Sequence, residues 1–227
     1  MKKIGMIVAV EIDAVLKKYG GSIERLDYTT FDVKKYRADG YELYIVSCGA
    51  GEIAAAAAAQ FLISELKVDM VVNFGVVGGL TPEMAVAKLC VVESVVHYDF
   101  DISECDDCEP ARYSNYPSIY IPTASELVDA AVKIEPSLKR VICASGDKFV
   151  ASGEKKRAMH TAYGADICEM EAAGIALTCN RNGVPFLMIK AVSDAMDGGA
   201  GEFTRELNRC ADICINAMDK IIEGLPE

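Results

Sequence analysis

The sequence has few prolines, few basic residues and no long apolar run, and each shortage excludes a class of protein. Seven of 227 residues are proline and 25% are charged, as expected for a single globular domain spanning residues 1–227. Lys and Arg number 23 against 34 Asp and Glu, a net charge of −11, which argues against nucleic-acid or anionic membrane partners. No eighteen apolar residues run together without a charge, so no membrane-spanning helix is predicted.

The cysteines favour a reducing compartment. There are nine, an odd number, and several stand in apolar runs, so we expect free thiols in the cytoplasm rather than a disulfide framework. Cys105 and Cys108 have C-x-x-C spacing, but no second pair or neighbouring histidine completes a metal site. Two interpretations of this motif stay open, a redox pair and a solvated acidic loop with two incidental thiols. The apolar run after Lys3 resembles a signal peptide until Glu11 and Asp13 interrupt it, so no export is predicted.

Apolar β-branched runs alternate with stretches of helical composition, which indicates an α/β fold. Strands are predicted at residues 4–10, 41–48, 70–74, 89–97, 140–144 and 186–192, and helices at 53–65, 125–134, 154–162, 171–182 and 202–222. Because several strands are apolar throughout, we expect helices on both faces of the sheet, with ligands at the carboxyl ends of strands. Residues 99–122 are predicted to be a long irregular excursion.

Two glycine-rich turns follow predicted strands. Residues 48–54 match the G-x-G-x-x-G/A dinucleotide pattern, but no acidic residue closes the next strand, so a tight turn is favoured over a nicotinamide site. Residues 75–79, which include Val77 and Gly78, contain three glycines and would let a flat or sugar-like ligand approach the backbone.

Three further loops carry the polar groups of a site, at residues 145–150, 168–174 and 193–194. With residues 97–99 and the glycine-rich turns, they resemble the nucleoside phosphorylase and nucleosidase family, particularly its 5′-methylthioadenosine/S-adenosylhomocysteine nucleosidases. The likeness runs nearly end to end. It implies a three-layer α/β/α sandwich with a central mixed sheet, an intracellular homodimer, and hydrolysis without metal or organic cofactor.

The resemblance implies hydrolysis of a purine nucleoside such as methylthioadenosine or adenosylhomocysteine, with release of adenine and a free thioribose derivative in methionine salvage. The bond breaks through an oxocarbenium-like state, which requires an acid for the leaving base, a carboxylate near the positive charge and an oriented water. The matching catalytic residues are Asp194, which would protonate the purine N7, Glu171, which would bind the ribose, and Asp13, which would orient the water.

The same matching implies the substrate contacts. Met170 would pack on the ribose, Phe149 would stack on adenine, the Val150 backbone would bond its polar edge, and Phe203 would close over the 5′ substituent. The other substrate-binding candidates are Glu169, Ser193, Val77 and Gly78, with Ser193 orienting Asp194. The basic stretch that includes Lys156 and His160 is predicted to lie on the surface.

Three positions depart from the family pattern and leave alternatives open. Asp13 stands where the family has a glutamate and loses about 1.5 Å of reach; residues 76–77 are valines instead of Ser-Ala; and Lys190 replaces an arginine. A phosphate-dependent phosphorylase is one alternative, with Lys148 or Lys190 supplying positive charge, although the acidic residues after the first strand would repel phosphate. A weakly catalytic nucleoside-binding protein is the other.

Overall fold

The computed structural model describes residues 1–225, in which ten strands and six helices succeed one another. The elements are β1 (Lys2–Val8), α1 (Ile12–Tyr19), a 3-10 turn (Gly20–Ser22), β2 (Ile23–Leu26), β3 (Val33–Arg37), β4 (Tyr41–Ser47), α2 (Glu52–Ser64), β5 (Met70–Gly79), β6 (Leu89–His97), β7 (Ile121–Pro122), α3 (Ser125–Ile134), β8 (Lys139–Ser145), α4 (Gly153–Tyr163), β9 (Ile167–Glu169), α5 (Ala172–Asn182), β10 (Phe186–Asp194) and α6 (Gly199–Gly224).

All these strands belong to one mixed sheet, as expected. Strand β1 lies parallel between β4 and β5, and the antiparallel strands β3 and β2 extend the sheet beyond β4. On the other side, β5, β10, β6, β8 and β9 are paired in succession, and β9 returns to β5. This closed ring brings the ends of β5, β9 and β10 together.

Helices cover both faces of the sheet, which confirms the three-layer prediction. On one face, α1, α3 and α6 enclose a core that includes the fully buried Phe74 and Met218. On the other face, α2 and α5 enclose a second core, which includes the buried Leu62, Ile175 and Phe186. Burial of these apolar side chains supplies the main stabilisation of the fold.

The two central strands explain where the functional groups lie. Every residue of β5 and of β10 is buried, and the strands run parallel with Asp194 opposite Gly78. Strand β5 ends five residues beyond the predicted end at residue 74 because residues 75–78 continue to pair with β10. The polar end of β10 is therefore held against the glycine-rich end of β5.

Several helices and strands were not predicted from the sequence. Helix α1, the edge strand β2 and its neighbour β3, and the short strands β7 and β9 were not expected. Residues 99–120 are irregular as predicted, held in part by the ring of Phe100 stacked on Tyr113 at 3.9 Å. All nine cysteines are free thiols, and no helix within residues 1–225 is long and apolar enough to cross a bilayer.

Candidate active site

A cavity of about 210 Å³ opens where β1, β5, β9 and β10 end. Its lining consists of Ala9, Val10, Glu11, Ala50, Val76, Val77, Gly78, Phe149, Cys168, Glu169, Met170, Glu171, Ser193, Asp194 and Phe203. Turns from several strands thus meet at one place, as expected for the carboxyl ends of strands. A wider cleft of about 930 Å³ lies elsewhere, between the start of β1 and the end of α6, but none of the predicted site residues lines it.

Asp194 ends β10 and is 1% exposed. The Ser193 hydroxyl donates to its Oδ1 at 3.0 Å, and the Lys156 ammonium donates to its Oδ2 at 2.5 Å. Burial raises the pKa of Asp194, an effect that the lysine and the serine oppose and Glu202 reinforces. A carboxyl with a raised pKa retains a proton closer to neutral pH, as a general acid requires.

Lys156 corrects the prediction that its stretch of α4 lies on the surface. The side chain is fully buried, whereas the neighbouring Lys155 and Arg157 are exposed. Local sequence shows only a basic run; the lysine is drawn inward by Asp194, which lies 38 positions further along the chain. No local signal in the sequence could have identified this contact.

Glu171 lies immediately before α5, with its side chain buried at the cavity wall. The backbone N–H of Gly51 donates to its Oε1 at 3.0 Å, which ties the first glycine-rich turn to the acidic loop. Burial and then repulsion by Glu169 raise the pKa of Glu171, while Lys190 and the Gly51 N–H lower it.

Glu169 lines the cavity, and its carboxylate is fully occupied by neighbouring donors. The backbone N–H groups of Glu171 and Ala172 donate to it at 2.9–3.1 Å, and the Ser145 hydroxyl contacts it at 2.5 Å. The Lys190 ammonium lies 3.3 Å from its Oε2. Burial alone would lower the pKa of Lys190, but Glu169 and Glu171 outweigh it and the pKa is raised.

A further carboxyl, Glu52, stands behind Glu169. Glu52 is hydrogen-bonded to the Ser145 hydroxyl and to the backbone N–H of Gly174. Burial and then Glu169 raise the pKa of Glu52. The Ser145 hydroxyl therefore stands between the carboxyl groups of Glu52 and Glu169.

The turn after β1 places Glu11, rather than Asp13, in the cavity. Glu11 is 5% exposed, and its two oxygens accept hydrogen bonds from the backbone N–H groups of Val76 at 2.8 Å and Val10 at 3.0 Å. Asp13 lies in the first turn of α1 and is exposed. Because the helix begins at Ile12, Asp13 is carried away from the site, and the structure does not bring it together with Asp194 and Glu171.

Aromatic and glycine groups complete the cavity. The rings of Phe149 and Phe203 meet edge to face at 5.2 Å, and Phe149 is 48% exposed. Val77, Gly78 and Met170 line the same cavity. Val150 lies instead on a small adjoining recess of about 30 Å³, which shares Phe149 and Asp194 with the cavity.

The charges of the site disfavour an anionic co-substrate. Among the residues that the structure describes, four carboxyl groups and no Lys or Arg line the cavity. The two lysines considered for phosphate are paired with acids, Lys148 with Asp99 at 2.6 Å and Lys190 with Glu169. Across residues 1–225, no group of three or more His, Cys, Asp or Glu side chains is arranged to hold a metal ion.

Known proteins resemble this chain in sequence and in fold. A model of the phosphorylase superfamily matches residues 3–225. Aminodeoxyfutalosine nucleosidase of Helicobacter pylori is 28% identical over 99% of this chain and all of its own length. The 5′-methylthioadenosine/S-adenosylhomocysteine nucleosidase of Shewanella halifaxensis is 31% identical over 85% of this chain and 86% of its own. The structure of a Helicobacter pylori nucleosidase mutant with 5′-methylthioadenosine in the active site has a TM-score of 0.92 at 27% identity, covering 99% of this chain and all of that one.

The chain therefore belongs to the phosphorylase superfamily, and within it to the family of the 5′-methylthioadenosine/S-adenosylhomocysteine nucleosidases. The resemblance seen in the sequence is confirmed, as is the nucleoside phosphorylase-like fold. The predicted class, an N-glycosyl hydrolase of purine nucleosides, is also confirmed, since these relatives are nucleosidases rather than phosphorylases.

Proposed function

We propose that this protein hydrolyses the N-glycosidic bond of a purine nucleoside with a thioether at the 5′ position, such as 5′-methylthioadenosine or S-adenosylhomocysteine. The products are adenine and the free thioribose derivative. The observation that carries the proposal is the convergence of Asp194, Glu171 and Glu11, three carboxyl groups from different parts of the chain, on one partly apolar cavity.

Asp194 is the acid for the leaving base. Its Oδ2 is engaged by Lys156, whereas within residues 1–225 the only group that bonds Oδ1 is the Ser193 hydroxyl. Oδ1 therefore has a free position for the proton that it donates to the purine N7, and burial raises the pKa of the carboxyl toward the range in which it can donate that proton.

Glu171 stabilises the sugar. Gly51 engages Oε1, and the remaining oxygen accepts hydrogen bonds from the ribose hydroxyls. Its negative charge is placed to stabilise the ribosyl cation as the positive charge develops. Met170, beside it on the cavity wall, packs against the ribose.

Glu11 orients the attacking water, in place of Asp13. Its carboxylate is held by the two backbone N–H groups of Val10 and Val76, so its position is fixed before substrate arrives. Gly75 makes room for it, because a β-carbon at that position would lie 2.9 Å from Glu11 Oε1.

The base and the 5′ group of the substrate pack against the apolar walls of the cavity. Phe149 stacks on adenine and the Val150 backbone bonds its polar edge, while Phe203 and Val76 border the 5′ substituent. An aromatic ring against a purine contributes both apolar burial and stacking. Val77, Gly78, Ser193 and Glu169 form the rest of the binding surface.

The proposed reaction balances without a cofactor. The proton of Asp194 moves to N7, the C1′–N9 bond breaks, its electron pair stays on N9, and neutral adenine leaves. Water adds to C1′ and passes a proton to Glu11. Exchange with solvent then removes that proton and restores the one on Asp194.

We further propose that the protein acts as a homodimer in the cytoplasm, in methionine salvage. The nine free cysteines fit a reducing compartment. On α2, Ile53 is 83% exposed, an apolar side chain suited to a subunit contact. Light scattering on the purified protein should give about twice the chain mass of 24.4 kDa.

The direct test of the activity is adenine release from 5′-methylthioadenosine, with and without inorganic phosphate. We expect adenine and a reducing sugar at a rate independent of phosphate, because the cavity is lined by carboxyl groups. Phosphate-dependent release would indicate a phosphorylase, and tight binding with no release would indicate a nucleoside-binding protein.

A further inference from the structure

Lys156 is a fully buried lysine held entirely by the end of strand β10. Its ammonium group donates to Asp194 Oδ2 at 2.5 Å, to the Asp194 carbonyl at 3.2 Å and to the Ala195 carbonyl at 2.9 Å. These contacts use all three of its donors. Fully buried lysines are rare unless paired, and the partner of this one is the proposed general acid.

The backbone opposite makes space for the pair. Gly78 lies across from Asp194 in the register of β5 and β10. A β-carbon at Gly78 would lie 3.2 Å from Lys156 Nζ and 3.3 Å from Asp194 Oδ2, closer than most real β-carbon contacts. The absence of a side chain at residue 78 therefore lets lysine and aspartate meet inside the sheet.

The other groups around Asp194 do not duplicate the lysine. From α6, Glu202 accepts a hydrogen bond from the backbone N–H of Ala195 at 2.7 Å and contributes negative charge. From β9, the neutral thiol of Cys168 faces the pair, and Ser193 is the neighbour on β10. Lys156, from α4, supplies the positive charge of this cluster.

We propose that Lys156 is a positioning residue for the general acid. It fixes Oδ2, so that Oδ1 is presented to the purine, and its charge stabilises the carboxylate that Asp194 becomes when its proton moves to N7. The second role rests on the proposed function, whereas the control of the Asp194 carboxyl by the lysine does not. Without the lysine, only the Ser193 hydroxyl would oppose the effect of burial, and the pKa of Asp194 would be higher still.

The test compares Lys156→Met with Lys155→Met, an exposed neighbour whose replacement removes the same charge. In protein labelled with carbon-13 at the aspartate carboxyl groups, the Asp194 resonance is assigned by its absence from Asp194→Asn. We expect the Asp194 pKa to rise by about 1–3 pH units in Lys156→Met and to stay unchanged in Lys155→Met. The alkaline limb of kcat/KM should move in the same direction, and kcat should fall by about tenfold or more with a smaller change in KM.

An Asp194 pKa that is the same in Lys156→Met and the unmutated protein would overturn the proposal. If the unmutated protein released no adenine, the activity would fail while the titration still decided the role of Lys156. Two other variants serve if Lys156→Met does not fold. Lys156→Gln keeps a donor without the charge, and Gly78→Ala crowds the pair with the lysine in place; each should raise the Asp194 pKa, and a normal value in both would contradict the proposal.

Discussion

Two buried lysine–carboxylate pairs lie close to one cavity, and they differ in how fully the acid is hydrogen-bonded. Glu169 is bonded by Lys190, by the Ser145 hydroxyl and by two backbone N–H groups. Asp194 has only Lys156 and the Ser193 hydroxyl as side-chain partners among residues 1–225. Both acids are at least nine-tenths buried, so burial does not separate them.

Spare hydrogen-bonding capacity, rather than burial or charge, therefore distinguishes the reactive acid from the structural one. A carboxylate whose oxygens are fully hydrogen-bonded holds a loop in place, as Glu169 does for the start of α5. An acid with a free lone pair and a raised pKa can exchange a proton with a ligand. On this account Asp194 carries the chemistry and Glu169 supports it.

The largest effect is expected for Asp194→Asn. The amide has nearly the same shape but cannot supply the proton, so kcat should fall by about 10²–10⁴-fold. Steady-state adenine release measures the change, and calorimetry with methylthioadenosine checks that binding persists. A variant that retains a tenth or more of the activity would remove Asp194 from the role of acid.

The next effect separates two acids at the start of α1. Glu11→Gln should lower kcat by about 10²-fold because the amide cannot take the proton of the attacking water. Asp13→Asn serves as the matched control and should change kcat less than about threefold, since Asp13 is exposed and outside the cavity. The reverse order of effects would return the water-orienting role to Asp13.

For Glu169→Gln we expect a loss of stability greater than the loss of turnover. The change leaves the buried Lys190 without its negative partner, and breaking a buried pair costs about 3–5 kcal/mol. Urea unfolding measures this cost, and kcat measured well below the melting temperature should remain within about tenfold of normal. A stable variant with abolished turnover would place Glu169 in the chemistry instead.

The smallest effect concerns Glu52, whose raised pKa makes stability depend on pH. The folded protein keeps a proton there that the unfolded chain releases, so the free energy of unfolding falls as pH rises from the ordinary glutamate range through the raised pKa. Glu52→Gln imitates the neutral form and should flatten this dependence. Urea unfolding at about pH 6 and about pH 9 gives the comparison, and parallel losses in both proteins would show that another group titrates.

The fold was largely predictable because its central strands are apolar throughout. The runs that became β1, β4, β5, β6, β8 and β10 could be identified without tertiary information. The edge strand β2 and its neighbour β3 carry Glu24, Arg25, Lys34 and Lys35, and such charged strands give little apolar signal. Strand β9 has three residues and exists through its pairing with β5 and β8.

Matching of short motifs identified most of the candidate residues that line the cavity, including Asp194, Glu171 and Phe149. It placed Asp13 in the site because it counts positions along the chain, whereas the start of α1 at Ile12 decides which acid faces the cavity. It also left Lys156 on the surface, because the partner of that lysine is brought to it only by the fold.

The most direct measurement compares hydrolysis of 5′-methylthioadenosine with hydrolysis of its 7-deaza analogue by the unmutated protein. The carbon at position 7 has no lone pair, so an acid that donates to N7 cannot assist departure of this base. We expect the analogue to bind with similar affinity but to release its base at least about 10²-fold more slowly. Equal rates for the two nucleosides would contradict proton donation from Asp194 to N7.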